Sequence, residues 1–119
     1  MNGYYKTLSG KIFPLEKQDA IDVSNKDIIE LVLPEGCKKV FCYVNKLIEL
    51  VIPEGCKRVH CSNNQLTNLV VAEGCVEIYC HHNQLTEFNP PKSCKVLWCD
   101  IRAMGDLSNN IEELELFNG

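Results

Sequence analysis

Cysteine is the most reactive residue type that recurs in this sequence, and it recurs at a fixed spacing of nineteen residues. The eight cysteines form two columns: Cys37, Cys56, Cys75 and Cys94, then Cys42, Cys61, Cys80 and Cys99. If the chain is extended between the two cysteines of one repeat, they lie roughly 16 Å apart, beyond the limit of about 7 Å for a disulfide. A column of four spans roughly 14 Å, too far for sulfur ligands that must lie about 2.3 Å from one zinc ion. We therefore expect free, buried, structural thiols and a reducing, intracellular (cytoplasmic) compartment.

Three histidines are the other candidates for chemistry. His60, His81 and His82, together with Asp100, are ligand types that suit zinc or a similar ion, although two adjacent residues of a strand point to opposite sides. Ser62, His81 and Asp100 occupy one position in three successive repeats, which would form a Ser-His-Asp row on neighbouring strands. An open sheet offers no evident oxyanion hole or substrate pocket. We predict no enzyme, no cofactor and no metal, and keep a metal site as a remote alternative.

The elements that position these residues belong to an internal repeat. The unit 47–65 recurs at 28–46 and 66–84, and more loosely at 85–103. A unit this short cannot bury an apolar face alone and must stack on its neighbours, so the period predicts a solenoid. Within each unit, Cys-x-x-Val-x-Cys alternates apolar and polar residues, which predicts a short strand with one buried face.

An asparagine follows the second cysteine of each clear unit by three residues: Asn45, Asn64 and Asn83. An amide side chain there can satisfy backbone groups where the chain turns inward, a need that every rung repeats. The remaining eight residues are too few for a helix with two loops, and Pro34, Pro53 and Pro91 favour an extended return.

The pattern Cys-x-x-Val-x-Cys-x-x-Asn-x-Leu is similar to the Leu-x-x-Leu-x-Leu-x-x-Asn-x-Leu core of leucine-rich repeats. The Leu-Pro-containing return resembles the short repeats of bacterial effector proteins. Departures are Arg102 for asparagine, Ser93 for glycine and Ala72 for proline. The resemblance implies an all-β leucine-rich-repeat solenoid with a parallel concave sheet and an extended, non-helical convex side. It also implies protein or peptide binding on the concave face.

Two regions are expected along the chain. Residues 1–17 are expected to form an amino-terminal cap, with a pattern that fits a β-hairpin. Residues 18–119 are expected to form about five to six rungs, the last one short or truncated. Met104 and Leu107 keep the register of a further return. The final strand fits the repeat only if two residues have been dropped before Leu114 and Leu116.

Ring-bearing side chains fall on the concave face of the predicted sheet. Phe41, His60, Tyr79 and Trp98 share one column and are the expected hydrophobic anchors, with polar contacts from Tyr43, His81 and Asp100. Aromatic residues on a surface tend to form interaction hot spots. They also favour strands for packing alone, so a passive scaffold, or the repeat part of a larger protein, remains the alternative.

Composition limits the classes of partner. With 45% hydrophobic and 24% charged residues the chain resembles a folded globular domain, and its net charge of −4 argues against nucleic-acid binding. No apolar run approaches the roughly 18 residues of a membrane span, and the first residues lack the apolar core of a signal peptide. The sequence thus predicts a non-enzymatic module that binds a protein or peptide.

Overall fold

The computed structural model describes residues 2–103 and 111–118, which form a β-solenoid. In these residues the one helical element is a 3₁₀ turn at Ile101–Ala103. The strands are β1 (Gly3–Thr7), β2 (Ile12–Leu15), β3 (Ala20–Asp22), β4 (Ile28–Val32), β5 (Lys39–Phe41), β6 (Glu49–Ile52), β7 (Arg58–His60), β8 (Asn68–Val71), β9 (Glu77–Tyr79), β10 (Val96–Asp100) and β11 (Glu113–Phe117). The predicted all-β class is confirmed.

Six strands form the parallel sheet that carries the ring-bearing residues, in the order β3-β5-β7-β9-β10-β11. Neighbours pair one repeat apart, so Val59 lies beside Ile78 and Ile78 beside Leu97. The last pair joins Leu97 to Leu114, seventeen positions on rather than nineteen. The predicted register is therefore confirmed, including the two residues dropped before the final strand.

The return path is extended, as predicted. Strands β6 and β8 form a separate parallel ladder, and each return is followed by a tight turn into the next strand of the six-stranded sheet. The turn needs a positive φ, which glycine adopts without steric cost; Gly55 has φ 93° and Gly74 has φ 107°. Met104 and Leu107, expected in a further return, lie outside the described residues.

The amino-terminal strands pair antiparallel with each other and with the first return strand. Strand β1 pairs antiparallel with β2 through residues such as Tyr5 and Phe13, whose rings stack at 5.0 Å. Its other edge pairs antiparallel with β4, the first return strand, with an irregularity between Lys6 and Thr7. The order β2-β1-β4 makes a three-stranded sheet in which two strands from outside the clear repeat units pair with the first return strand.

The core is a stack of thiols and aliphatic side chains. All eight cysteines are free and buried, as predicted. Burial raises the pKa of Cys42 to about 12 and that of Cys75 to about 11, so these thiols stay protonated at neutral pH. Protonated buried thiols are poor nucleophiles and pack as small apolar groups.

The first cysteine column also makes hydrogen bonds. The Sγ atoms of Cys56, Cys75 and Cys94 donate to the backbone carbonyl two residues further on, at 3.4, 3.7 and 3.3 Å. These contacts tie each turn to the start of the following strand. The second column contributes apolar volume between the rungs, with side chains at most 1% exposed.

The asparagines occupy the inner corner of each rung. Asn64 Nδ2 donates to the carbonyls of Cys42 and Cys61 at 3.0 and 3.1 Å, while its Oδ1 accepts from Leu47 N at 3.0 Å. One side chain thereby satisfies backbone groups of its own rung and of the rung before it. Asn45 and Asn83 make the same type of contacts.

Candidate functional site

The outward face of the six-stranded sheet, called the open face below, is a layer of rings. Side chains alternate along each strand, so residues between the buried positions point outward. The register aligns one such column across all six strands: Asp22, Phe41, His60, Tyr79, Trp98 and Glu115. The four predicted anchors therefore lie on adjacent strands.

Eight rings form one contiguous group, the ring cluster: Phe41, Tyr43, His60, Tyr79, His81, His82, Trp98 and Phe117. His82 is exposed and the other seven are half-buried. Within the column of anchors, ring centroids of His60 and Tyr79 lie 5.2 Å apart and those of Tyr79 and Trp98 lie 5.1 Å apart. These spacings are those of favourable aromatic pairs.

His81 lies at the centre of the cluster. Its ring stacks on Phe117 at 4.3 Å with an interplanar angle of 18°, and it also contacts His60, His82 and Trp98. Phe117 and His82 were not among the expected binding residues. Phe117 could have been identified from the repeat alignment, because it pairs with Asp100 and so continues the column that contains His81.

Polar contacts fix two of the anchors. Tyr79 Oη donates to Glu77 Oε1 at 2.9 Å, and Glu77 Oε2 in turn accepts from Arg58 at 2.8 Å. Trp98 Nε1 donates to Glu113 Oε2 at 3.1 Å. The hydrogen bond from Arg58 lowers the pKa of Glu77, so the carboxylate remains charged and able to orient Tyr79. The rings of Tyr79 and Trp98 are thus held in place before any ligand arrives.

Asp100 is not part of the open face, contrary to expectation. It is 1% exposed, and its carboxylate accepts hydrogen bonds from His82 N at 2.8 Å and Asn83 N at 2.9 Å. The chain enters the 3₁₀ turn directly after Asp100, where earlier repeats continue to an asparagine and this one has Arg102. Asp100 therefore satisfies the backbone of the preceding rung instead of offering a polar contact to a ligand.

The Ser-His-Asp row is not assembled. Ser62 is 3% exposed, Asp100 is engaged with backbone N–H groups, and His81 Nδ1 is buried with no hydrogen-bond partner. In residues 2–103 and 111–118 no group of three or more His, Cys, Asp or Glu side chains is arranged to hold a metal ion. The open face therefore presents ring surfaces, and the unpaired Nδ1 of His81 is buried among them.

Burial lowers the pKa of two imidazoles in the cluster. Desolvation is the cause at His60, and at His81 it is reinforced by the neighbouring His82 and His60 side chains. Both folded-state pKa values lie below the ordinary value of 6.5. The cluster is therefore most stable with these rings neutral.

We expect the free energy of unfolding to fall between about pH 7.5 and about pH 5.5 because of these two rings. The unfolded chain takes up protons near pH 6.5, before the folded chain does, so stability is complete above that pH and is lost as pH falls through the folded pKa. Urea unfolding at both pH values measures the change. The double variant His60→Gln with His81→Gln should show a smaller drop, because it removes both imidazoles. Glu77, whose pKa is also lowered, loses its contribution only below its ordinary value of 4.5 and so adds little in this pH range. An unchanged drop in that variant would assign the effect to other groups.

The described part of the chain has no helix with the length and apolar character needed to span a membrane. Comparison with protein-family models, with curated proteins and with solved structures gives no match for this chain.

Proposed function

We propose that this protein is a non-enzymatic binding module that recognises a protein or peptide through the ring cluster. The observation that carries the proposal is the contiguous group of half-exposed rings on a rigid parallel sheet. Tyrosine and tryptophan contribute large contact areas at low entropic cost, and preorganised rings lose little freedom on binding. The similarity of the repeat to leucine-rich repeats supports the same class of function. The eight buried free thiols support a reducing, intracellular site of action.

The contacting side chains would be Phe41, Tyr43, His60, Tyr79 and Trp98, with His81 supplying a polar contact from its half-buried ring. The roles of anchor and polar contact are then divided between the two outward columns.

Trp98 makes the proposal testable, because it is the only tryptophan of the chain and lies within the cluster. Peptides selected from a random display library on the intact protein should quench or shift its fluorescence as they bind. We expect the double variant Tyr79→Ala with Phe41→Ala to weaken those peptides by about 10- to 100-fold, in line with the loss of hot-spot side chains. Fluorescence titration on variant and parent gives the ratio.

The matched control changes the return sheet instead. Asn68→Ala with Val70→Ala alters two exposed side chains of β8 and should leave peptide affinity within about twofold. If selection yields only peptides that ignore the Tyr79 and Phe41 changes, the ring cluster is not the binding surface.

A passive scaffold is the alternative, favoured by the fact that the rings partly bury one another and that Glu77 and Glu113 hold two of them. On that hypothesis the rings serve stability. The same double variant would then lower the free energy of unfolding by about 2 kcal/mol or more, and no selected peptide would move the Trp98 signal.

A further inference from the structure

A second candidate surface lies on the return side, where two successive rungs separate. Strands β6 and β8 form a parallel ladder, but β4 and β6, the same segments one repeat earlier, form none in the described structure. The two rungs are joined before the gap by Lys46 N, which donates to Ile28 O at 2.8 Å, and after it by Lys57 N, which donates to Lys38 O at 2.7 Å. Between these points they enclose a slit of about 630 Å³.

The strand edges that face the slit lack the backbone pairing that joins β6 to β8. Strand β1 pairs with the far edge of β4, and β8 pairs with the far edge of β6, so the two edges that face the slit have no strand between them. Such edges present backbone N–H and C=O groups that can pair with an added strand. An extended polypeptide is the ligand that uses groups of this kind.

The lining of the slit specifies the side chains of its ligand. Leu31, Leu33 and Leu50 form an apolar floor, since they belong to the core and are at most 8% exposed. Glu30 and Glu49 lie at the rim; two of the described lining residues are acidic and none is basic. Successive side chains of an extended segment point to opposite sides, so one set would face the leucines and the other the carboxylates.

The two carboxylates at the rim differ in their hydrogen bonding. Glu30 Oε1 accepts a hydrogen bond from Tyr4 Oη at 2.7 Å, whereas Glu49 has no ion pair or side-chain hydrogen bond among the described residues. Beside it, Ile48 and Val51 are 54% and 61% exposed. An unpaired carboxylate between exposed aliphatic groups is complementary to the long apolar stem and charged end of lysine or arginine.

We propose that this slit binds an extended polypeptide segment in which apolar side chains alternate with lysine or arginine. The backbone of the segment pairs with unpaired backbone groups at the mouth of the slit, its apolar side chains contact the leucine floor, and its basic side chains contact Glu30 and Glu49. The site is on the opposite side of the core from the ring cluster and does not depend on the function proposed for that cluster.

A direct test uses a capped, fluorescein-labelled hexapeptide of alternating valine and lysine, titrated with the intact protein by fluorescence anisotropy. We expect saturable binding with a dissociation constant of about 10 to 100 μM, as for short peptides added to a sheet edge. A peptide of alternating valine and glutamate should bind at least about tenfold more weakly. The same valine-lysine peptide with N-methylated backbone positions should also lose at least about tenfold, because it cannot donate to the edges.

Charge reversal in the protein distinguishes peptide binding at the slit from non-specific attraction of a basic peptide to an acidic protein. Glu49→Lys should weaken the valine-lysine peptide at least about tenfold. Glu87→Lys makes the same change at an exposed glutamate two repeats further on that does not line the slit, and should change affinity less than about twofold. Thermal unfolding of both variants verifies that they are folded.

Two results would overturn the proposal. One is the absence of saturation up to about 1 mM peptide, a concentration at which even a weak specific complex forms. The other is equal weakening by Glu49→Lys and Glu87→Lys, which would show that net charge alone attracts the peptide. Binding that Tyr79→Ala removes would assign the peptide to the ring cluster and likewise exclude the slit.

Discussion

Replacing Asn83 with alanine is expected to lower the free energy of unfolding by about 3 kcal/mol or more. Asn83 is 2% exposed; its Nδ2 donates to the carbonyls of Cys61 and Cys80 at 3.0 and 3.1 Å, and its Oδ1 accepts from Leu66 N at 3.0 Å. Alanine would leave Cys80 O and Leu66 N buried without these partners, while Cys61 O would keep only the hydrogen bond from Asn64 Nδ2 at 3.1 Å. The cost is large because these groups lie in a water-excluded corner that joins two rungs.

Urea unfolding followed by circular dichroism measures this loss. Asn68→Ala is the matched control, since Asn68 is an exposed asparagine of β8, and it should change stability by less than about 0.5 kcal/mol. Asn83→Asp should be at least as harmful as alanine, because a carboxylate would face the two carbonyl oxygens that now receive N–H groups. Equal stability of Asn83→Ala and Asn68→Ala would mean that the asparagine corners do not hold the rungs together.

Substituting Gly3 with alanine is the second change with a large expected effect. A Cβ atom at Gly3 would collide with the carbonyl oxygen of Val32, and would also lie 2.8 and 2.9 Å from N and Cδ of Pro34. Backbone atoms cannot rotate away as a flexible side chain can, so the start of β1 must leave β4. We expect a loss of about 2 to 3 kcal/mol and faster amide hydrogen exchange across the paired residues of β1 and β4.

Gly55→Ala provides the comparison for this prediction. Gly55 has φ 93°, but its added Cβ would have no heavy atom within 4 Å. The cost there is backbone strain of about 1 kcal/mol, and exchange in β1 and β4 should not change. Faster exchange in β1 after both substitutions would indicate a general loss of stability and not a local collision.

The period of the repeat was sufficient to predict the rungs, because stacking requires that equivalent residues lie side by side. Val59 and Ile78 were aligned from spacing alone and are register neighbours. Even the shortened last rung followed from the requirement that Leu114 and Leu116 continue the buried columns of Leu97 and Cys99. Alternation predicted which cysteines are buried for the same reason.

The position of Asp100 could not be obtained from alternation. Its column is outward in earlier rungs, as Tyr43 and His81 show, but the chain turns at Ile101–Ala103 and the carboxylate contacts backbone N–H groups of the previous rung. The replacement of asparagine by Arg102 marked an irregular rung. It did not reveal which side chain would satisfy the backbone there.

The separation of β4 from β6 was equally inaccessible to a repeat-based prediction. The sequences of the two returns, Ile-Ile-Glu-Leu-Val and Leu-Ile-Glu-Leu-Val, are nearly the same, so the pattern predicts equal pairing. Strand β1, which pairs with β4, lies outside the repeat. A periodic pattern carries no information about such a partner.

The alternation of inward and outward side chains has an evolutionary consequence. Because Cys56, Val59 and Cys61 are at most 1% exposed while His60 between them points outward, substitutions in the outward column leave the packed layer untouched. Natural selection or a protein engineer can thus exchange the rings rung by rung to alter ligand preference while foldability is conserved. Gene duplication of a nineteen-residue unit would supply new surface without requiring a new interior.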